Sequence, residues 1–203
     1  MATVLLALHY QNEVLHQRGK IRVGVAEQDD GRGRVKAKAA QLLAGARQAA
    51  IPVVSVRIAF RPDYADVIQN CKIFRDVVAN QSMAEGSWGA EFFEGLGPAP
   101  GELVVKHSRV NAFYGSQLDE VLRVLGATRL IVAGVATNSV VETTARHAAD
   151  IGYEVAVVAD ACSSGRAELH EASLANMSLI AEVMTLDALI GQGWRFGGGA
   201  AEG

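Results

Sequence analysis

A chain of 203 residues, half of them hydrophobic and one fifth charged, is long enough to bury one sizeable core. Its formal net charge is -3 and its lysines and arginines are scattered, so it lacks the basic surface typical of nucleic-acid binding. No apolar run approaches the roughly 18 residues of a membrane span, and the N-terminus has no signal-peptide pattern, so we expect a cytoplasmic protein without membrane partners.

Short apolar segments alternate along the chain with longer segments of helical periodicity. The apolar segments predict six strands, at 3–8, 51–58, 102–106, 129–134, 153–159 and 179–184. The periodic segments predict four helices, at 33–49, 116–126, 139–152 and 166–179, with Gly126 and Gly152 at helix ends. Because the strands are apolar along their whole length, both faces of the sheet must be covered. The pattern predicts a three-layer α/β/α fold, doubly wound around a six-stranded, mainly parallel sheet.

One segment between the second and third strands, residues 60–101, has no clear periodicity and is rich in Phe, Trp and Gly. Long loops in compact domains commonly form walls or lids of binding sites, so we predict that this region forms a pocket. The glycine-rich tail, residues 197–203, is predicted to be flexible. Since no linker divides the chain, residues 1–203 are expected to form a single domain.

The two cysteines, Cys71 and Cys162, lie far apart and have neither a CxxC pattern nor a nearby histidine pair. This spacing indicates neither a zinc site nor a disulfide framework, and both residues fit ordinary buried positions. We therefore expect no metal and no cofactor.

Three stretches directly follow predicted strands, where open α/β sheets bind their ligands. They are LHYQNEV (8–14), VKHSRVNAFYG (105–115) and GVATNSVVETTA (134–145). Together these blocks resemble the isochorismatase-like cysteine hydrolase family, and the resemblance extends over about residues 3–190. It implies the isochorismatase-like fold and a homo-oligomer, because family members commonly form dimers to tetramers.

The resemblance also implies a site. The family uses an Asp after the first strand, a Lys after the third and a Cys opening the helix after the fourth. The Cys attacks an amide or related carbon, while backbone amides, often beside a non-proline cis peptide, hold the oxyanion. In this sequence the Asp position falls on His9, the Lys position on Lys106 and the Cys position on Val140. The chain is thus expected to lack both the Cys nucleophile and the Asp, and valine cannot form a covalent intermediate.

His9 and Lys106 are the predicted catalytic residues. An imidazole at the end of the first strand either is satisfied by a backbone partner or acts as a general base. A buried Lys106 without the family's Asp needs another carboxylate, such as Asp63 or Glu13, the loss of its proton, or a bound anion. One departure affects this residue: Phe113 lies seven positions after Lys106, one more than we expect of the family, and a bulge there would redirect the lysine.

The predicted substrate-binding residues are four at the start of the helix after the fourth strand, two aromatic residues that would form pocket walls, and one arginine. They are Ala136, Asn138, Ser139 and Val140, then Tyr10 and Phe113, and finally Arg61. Amides that open a helix favour an anion, and Arg109 would strengthen that preference. Ser139 also fits a helix cap, because Glu142 follows three positions later.

Two functions fit these residues. One is an enzyme that acts on a small, carboxylate-bearing molecule without cysteine chemistry, by activated-water hydrolysis or by acid–base isomerisation or cyclisation. The other is a catalytically silent small-anion binding or scaffold protein, and a variant of it is a subunit that joins an active relative in a mixed oligomer.

Overall fold

The computed structural model describes residues 2–21 and 31–197, so most of the predicted flexible tail lies outside the described residues. The chain forms one six-stranded sheet of order β3-β2-β1-β4-β5-β6, in which every pairing is parallel. The strands are β1 (Ala2–Leu8), β2 (Val53–Ile58), β3 (Leu103–His107), β4 (Ala127–Gly134), β5 (Glu154–Val158) and β6 (Glu182–Met184). The predicted doubly wound α/β fold is confirmed.

Seven helices accompany the strands in the described residues: α1 (Asn12–Leu15), α2 (Gly31–Gln48), α3 (Lys72–Ala79), α4 (Leu118–Val124), α5 (Glu142–Asp150), α6 (Ala167–Met177) and α7 (Leu186–Gly191). Helix α3 lies within the segment predicted to be irregular, and it buries Phe74 and Val77 three positions apart. The predicted ends of two helices are confirmed, because Gly126 and Gly152 follow α4 and α5 with φ of +63° and +99°. No helix in the described ranges combines the length and apolarity needed to cross a bilayer.

The last strand is shorter than predicted. Residues 179–181 form a turn after α6, in which the backbone N–H groups of Ile180 and Ala181 both donate to the Met177 carbonyl. Leu179 is 87% exposed, so its apolar character reflects a surface position and not a buried strand.

The centre of the sheet positions the functional region. β1 and β4 pair from Ala2 to Leu8, and their segments 4–8 and 130–134 are buried, as continuous apolarity predicts. The strand order reverses between them, so their carboxyl ends form the crevice where such folds bind ligands. Leu8 is in register with Gly134 at this end. A Cβ at Gly134 would lie 2.2 Å from the Leu8 carbonyl oxygen, so only glycine permits this approach.

Candidate active site

Two buried histidines meet above the carboxyl edge of the sheet. His9 directly follows β1, in the left-handed backbone region at φ +54°, and its N–H donates to the Val56 carbonyl. His107 ends β3, on the far side of β2. Their Nε2 atoms lie 2.5 Å apart, and the two side chains are 7% and 2% exposed. A direct hydrogen bond therefore joins two strands that are not neighbours.

The hydrogen bonds determine the tautomers of this histidine pair. Nδ1 of His107 lies 3.2 Å from the Asn111 carbonyl oxygen, which can only accept, so this nitrogen carries a proton. In neutral His107, Nε2 is then an acceptor, and His9 donates to it through its own Nε2–H. The lone pair of neutral His9 is left on Nδ1, which bonds to no described residue. Among the described residues, Ser55 Oγ is the one fully buried side-chain polar atom without a hydrogen-bond partner. His9 Nδ1 has no partner either but is not fully buried, so it remains accessible.

Burial keeps both imidazoles neutral at physiological pH. Desolvation, reinforced by the neighbouring His107, lowers the pKa of His9 well below its ordinary value. Desolvation also lowers the pKa of His107 to about 4, although the Asn111 carbonyl favours the protonated form. The pair is therefore a proton acceptor with no charge of its own at neutral pH.

These pKa shifts predict acid instability. Because the folded pKa of His107 is below the ordinary 6.5, the unfolded chain takes up the proton first as the pH falls. The stability is fully present above about pH 6.5 and is lost progressively down to about pH 4, by ~3 kcal/mol from this residue. We expect urea unfolding at pH 7 and pH 5 to show a smaller loss in the double variant His9→Gln/His107→Gln than in the unmodified chain. Equal losses would contradict this assignment.

Lys106 does not lie beside His9, so its predicted placement is wrong. Its ammonium is 3.2 Å from Glu85, and its side chain is 49% exposed. Successive side chains of a strand point to opposite faces of the sheet. The His107 side chain therefore points toward the buried site, and the Lys106 side chain points to the exposed face. The carboxylate that pairs with Lys106 is Glu85, which also pairs with Arg57.

The unexpected spacing between Lys106 and Phe113 has a simple origin. β2 and β3 run in regular register, with Arg57 opposite Lys106 and Ile58 opposite His107, so no bulge redirects the lysine. The residue six positions before Phe113 is His107, and this is the spacing expected of the family's lysine. The spacing to Phe113 thus indicates His107, and not the neighbouring Lys106, as the residue at the family's lysine position.

A small cavity of about 40 Å³ adjoins His9. Its polar lining consists of His9, Arg109 and Ser139, and its other walls are apolar, including Ile73 and Phe74 of α3. This volume accommodates about one to three water molecules. Of the predicted site residues, the structure brings His9, Ala136 and Ser139 together at this cavity.

Four other predicted binding residues lie outside the cavity lining. The Tyr10 hydroxyl donates to the Ala161 carbonyl at 2.7 Å and is buried in the core. The Phe113 ring packs 4.8 Å from His147, against a separate surface depression. Val140 is 1% exposed and belongs to the core cluster. The Asn138 side chain is exposed and accepts from Ser164 at 2.7 Å.

Arg61 is also absent from the cavity lining, since it pairs with Asp63 at the surface at 2.7 Å. Arg109 is the cation at the cavity instead. Its guanidinium lies 3.9 Å over the Phe74 ring and donates to the Ile68 carbonyl and the Asn70 side chain. Both arginines were weighed from the sequence and Arg61 was predicted to bind, but the contact of Arg109 with Phe74 arises only from the tertiary fold.

The segment after β4 opens a helix through an irregular turn. The Val135–Ala136 peptide is cis, and a π-helical turn, Thr137–Val141, precedes α5. The predicted serine cap is wrong, because no side chain caps this turn and the Glu142 carboxylate accepts from Ser173 instead. The Ala136 N–H donates to no described residue. A hydrogen-bond donor is thus available on a residue that lines the cavity.

Neither cysteine lines the cavity. Burial raises the pKa of the Cys162 thiol to about 12, so it is protonated at neutral pH and a poor nucleophile. Cys71 precedes α3 and is half-buried. Within the described residues, no group of three His, Cys, Asp or Glu side chains is arranged to hold a metal ion.

Comparisons with known proteins agree with this architecture. The isochorismatase domain profile matches residues 3–188. A ureidoacrylate amidohydrolase RutB from Methylobacterium radiotolerans is 33% identical over 180 residues, which cover 79% of this chain and 69% of the relative. A second one, from Methylorubrum extorquens, is 30% identical over 190 residues, covering 87% of this chain and 76% of the relative.

Solved structures give the same result. An isochorismatase family protein from Desulfovibrio vulgaris superposes with a TM-score of 0.83 at 29% identity, covering 96% of this chain and 99% of the other. An isochorismatase-like hydrolase from Alkaliphilus metalliredigens superposes with a TM-score of 0.80 at 25% identity, covering 96% and 100%. The family profile, the sequence relatives and the solved structures agree, and the chain belongs to the isochorismatase family of hydrolases.

Proposed function

We propose that this chain hydrolyses a small, carboxylate-bearing amide by activating water, without a thiolate intermediate. The observation that supports this proposal is the hydrogen bond between His9 and His107 beside a water-sized cavity. In the catalytic role, His9 is the general base. His107 is a positioning residue, since it holds the His9 ring and fixes its tautomer without lining the cavity.

The proposed reaction begins with water held in the cavity. His9 Nδ1 takes one proton from this water as the oxygen attacks the carbonyl carbon and the C=O electron pair moves onto oxygen. The His9 imidazolium keeps its Nε2–H hydrogen bond to His107, whose Nδ1–H rests on the Asn111 carbonyl. Collapse of the tetrahedral intermediate breaks the C–N bond, and Nδ1 returns the proton to the leaving nitrogen. The base is thereby regenerated, and no other reactant is consumed.

Two groups of the cavity suit the developing oxyanion. The Ala136 N–H has no acceptor in the described residues, and the Ser139 side chain lines the same wall. Donors that already point at developing charge are worth several kcal/mol in a site that excludes water. A negative charge close to His9 also raises the pKa of the imidazole, so the base is stronger when substrate is bound than in the free enzyme.

The family relatives suggest the first substrate to test. Ureidoacrylate is the compound named for the amidohydrolases at 30–33% identity, and it combines an amide-type carbonyl with a carboxylate. We therefore propose ureido acids and short amide acids as the substrate class.

Removal of both thiols tests the mechanism. The variant Cys71→Ser/Cys162→Ala should hydrolyse ureidoacrylate with the kcat of the unmodified chain, because neither sulfur lies at the cavity. Loss of substrate is followed by chromatography, and iodoacetamide-treated protein serves as a second measurement. Inactivation by both treatments, or a covalent substrate adduct on either cysteine by mass spectrometry, would contradict the proposal. Tight binding of ureido acids without turnover would contradict it in favour of a silent binding protein.

A further inference from the structure

The geometry points to Arg109 as the residue that binds the substrate carboxylate and so determines specificity. This inference rests on the proposed function, since it assigns the substrate class of the same cavity to a side chain. The site would select short molecules with a carboxylate at one end, an apolar middle and the reacting carbonyl at the other end.

The charge at the cavity favours this assignment. Both histidines of the pair are held neutral by burial, so Arg109 is the one formal charge among the residues that line the cavity. Within the described residues it has no carboxylate partner, in contrast to Arg61 and Lys106, which pair with Asp63 and Glu85. A half-buried cation with only neutral acceptors favours an anionic ligand.

Arg109 also has unused hydrogen-bond donors. A guanidinium has five N–H donors, and Arg109 uses one from each terminal nitrogen, on the Ile68 carbonyl and the Asn70 amide oxygen. The other donors bond to no described residue. The ring of Phe74 beneath the guanidinium fixes its plane, which suits two-point recognition of a carboxylate.

The shape of the cavity also favours this assignment. The space between Arg109 and His9 is lined by apolar side chains, including Phe74 of α3 and Val110. This lining suits a short apolar middle, with the carboxylate at Arg109 and the reacting carbonyl at His9. Ile68 and Asn70 hold the guanidinium at one end of this space, and its remaining donors are left for the carboxylate.

A matched pair of ligands tests the assignment. 3-Ureidopropanoate and 3-ureidopropanamide differ only in carboxylate against neutral carboxamide. Isothermal titration in the His9→Gln background measures binding of both without turnover. We expect the carboxylate to bind about tenfold tighter or better, as for a hydrogen bond to a charged group. The preference should disappear in Arg109→Gln and be partly retained in Arg109→Lys.

Two control variants separate a receptor from a structural clamp. Asn70→Ala removes one neutral acceptor of Arg109 and should keep or increase the carboxylate preference, whereas a purely structural Arg109 would make Asn70→Ala and Arg109→Gln behave alike. Arg61→Gln should leave the preference unchanged, because that arginine lies at the surface. A preference that survives Arg109→Gln, or the binding of neither ligand, would overturn the inference.

This outcome is independent of the mechanism. An Arg109-dependent preference without any hydrolysis would refute the proposed function and leave the carboxylate site standing. Hydrolysis that depends on His9, with equal affinity for both ligands, would support the proposed function and refute the carboxylate site.

Discussion

Replacement of His9 by Gln is expected to lower kcat for ureidoacrylate by roughly 10²–10⁴-fold, the range for loss of a general base. Glutamine retains a donor toward His107 but has no basic nitrogen to take a proton from water. Steady-state hydrolysis at pH 7 measures the change. The matched control is Lys106→Gln, which removes an exposed cation paired with Glu85 and should leave kcat unaltered. Loss of activity in the lysine variant with retention in the histidine variant would reverse the assignment.

Replacement of His107 should change the pH dependence of hydrolysis as well as its rate, because His107 is proposed to position His9. His107→Leu removes the acceptor of the His9 Nε2–H and should lower kcat, whereas the carbonyl of His107→Gln can still accept and should restore part of it. Removal of the neighbouring imidazole also removes one cause of the low His9 pKa, although burial remains the larger one. The acid limb of the pH–rate profile should therefore shift to higher pH in both variants. A rate loss with an unmoved profile would indicate that His107 only fills space.

Gly134→Ala is expected to damage the centre of the sheet severely. The added Cβ would lie 2.2 Å from the Leu8 carbonyl oxygen, at a position with φ of +156° in the paired region of the two central strands. Backbone cannot move aside as a flexible side chain does, so β1 and β4 must separate locally. We expect a loss of about 4 kcal/mol or more, which corresponds to a fall in Tm of roughly 10 °C for a chain of this length.

The comparison for this variant is Gly191→Ala. Nothing lies within 4 Å of a Cβ at Gly191, which ends α7, so alanine there should be neutral or slightly stabilising. Thermal unfolding of both proteins by circular dichroism distinguishes a steric effect at the sheet from a general cost of removing glycine. Equal Tm values in the two variants would show that the central strands tolerate the extra atom.

The sequence is most predictive where burial is complete. Residues 4–8 of β1 and 130–134 of β4 are buried on both faces, and continuous apolarity reflects that environment directly. Helix α3 was missed because it spans one short amphipathic stretch, Lys72–Ala79, inside a segment otherwise rich in turns. Its helical form depends on packing over the cavity, which local propensity does not report.

The site was harder to predict for a related reason. β3 lies at the edge of the sheet, and its apolar residues, Leu103 to Val105, do not alternate, so the sequence does not show which face is buried. Only the burial of β3 in the folded chain shows that His107 points inward and Lys106 outward. His9 was found because it stands at the end of a central strand. Its partner required a tertiary contact across an intervening strand.

The position of β2 between the two histidines relates the site to the order in which the strands dock during folding. His9 leaves the sheet from β1 and His107 from β3, and β2 lies between them. Chain segments nearly one hundred residues apart must therefore dock before the two rings can touch, which is a slow, entropically costly closure during folding. A half-formed sheet built from β1, β4 and β5 would have a hydrophobic centre and would carry His9, but His9 would lack the His107 ring that fixes its tautomer, so the site is complete only when β3 is in place.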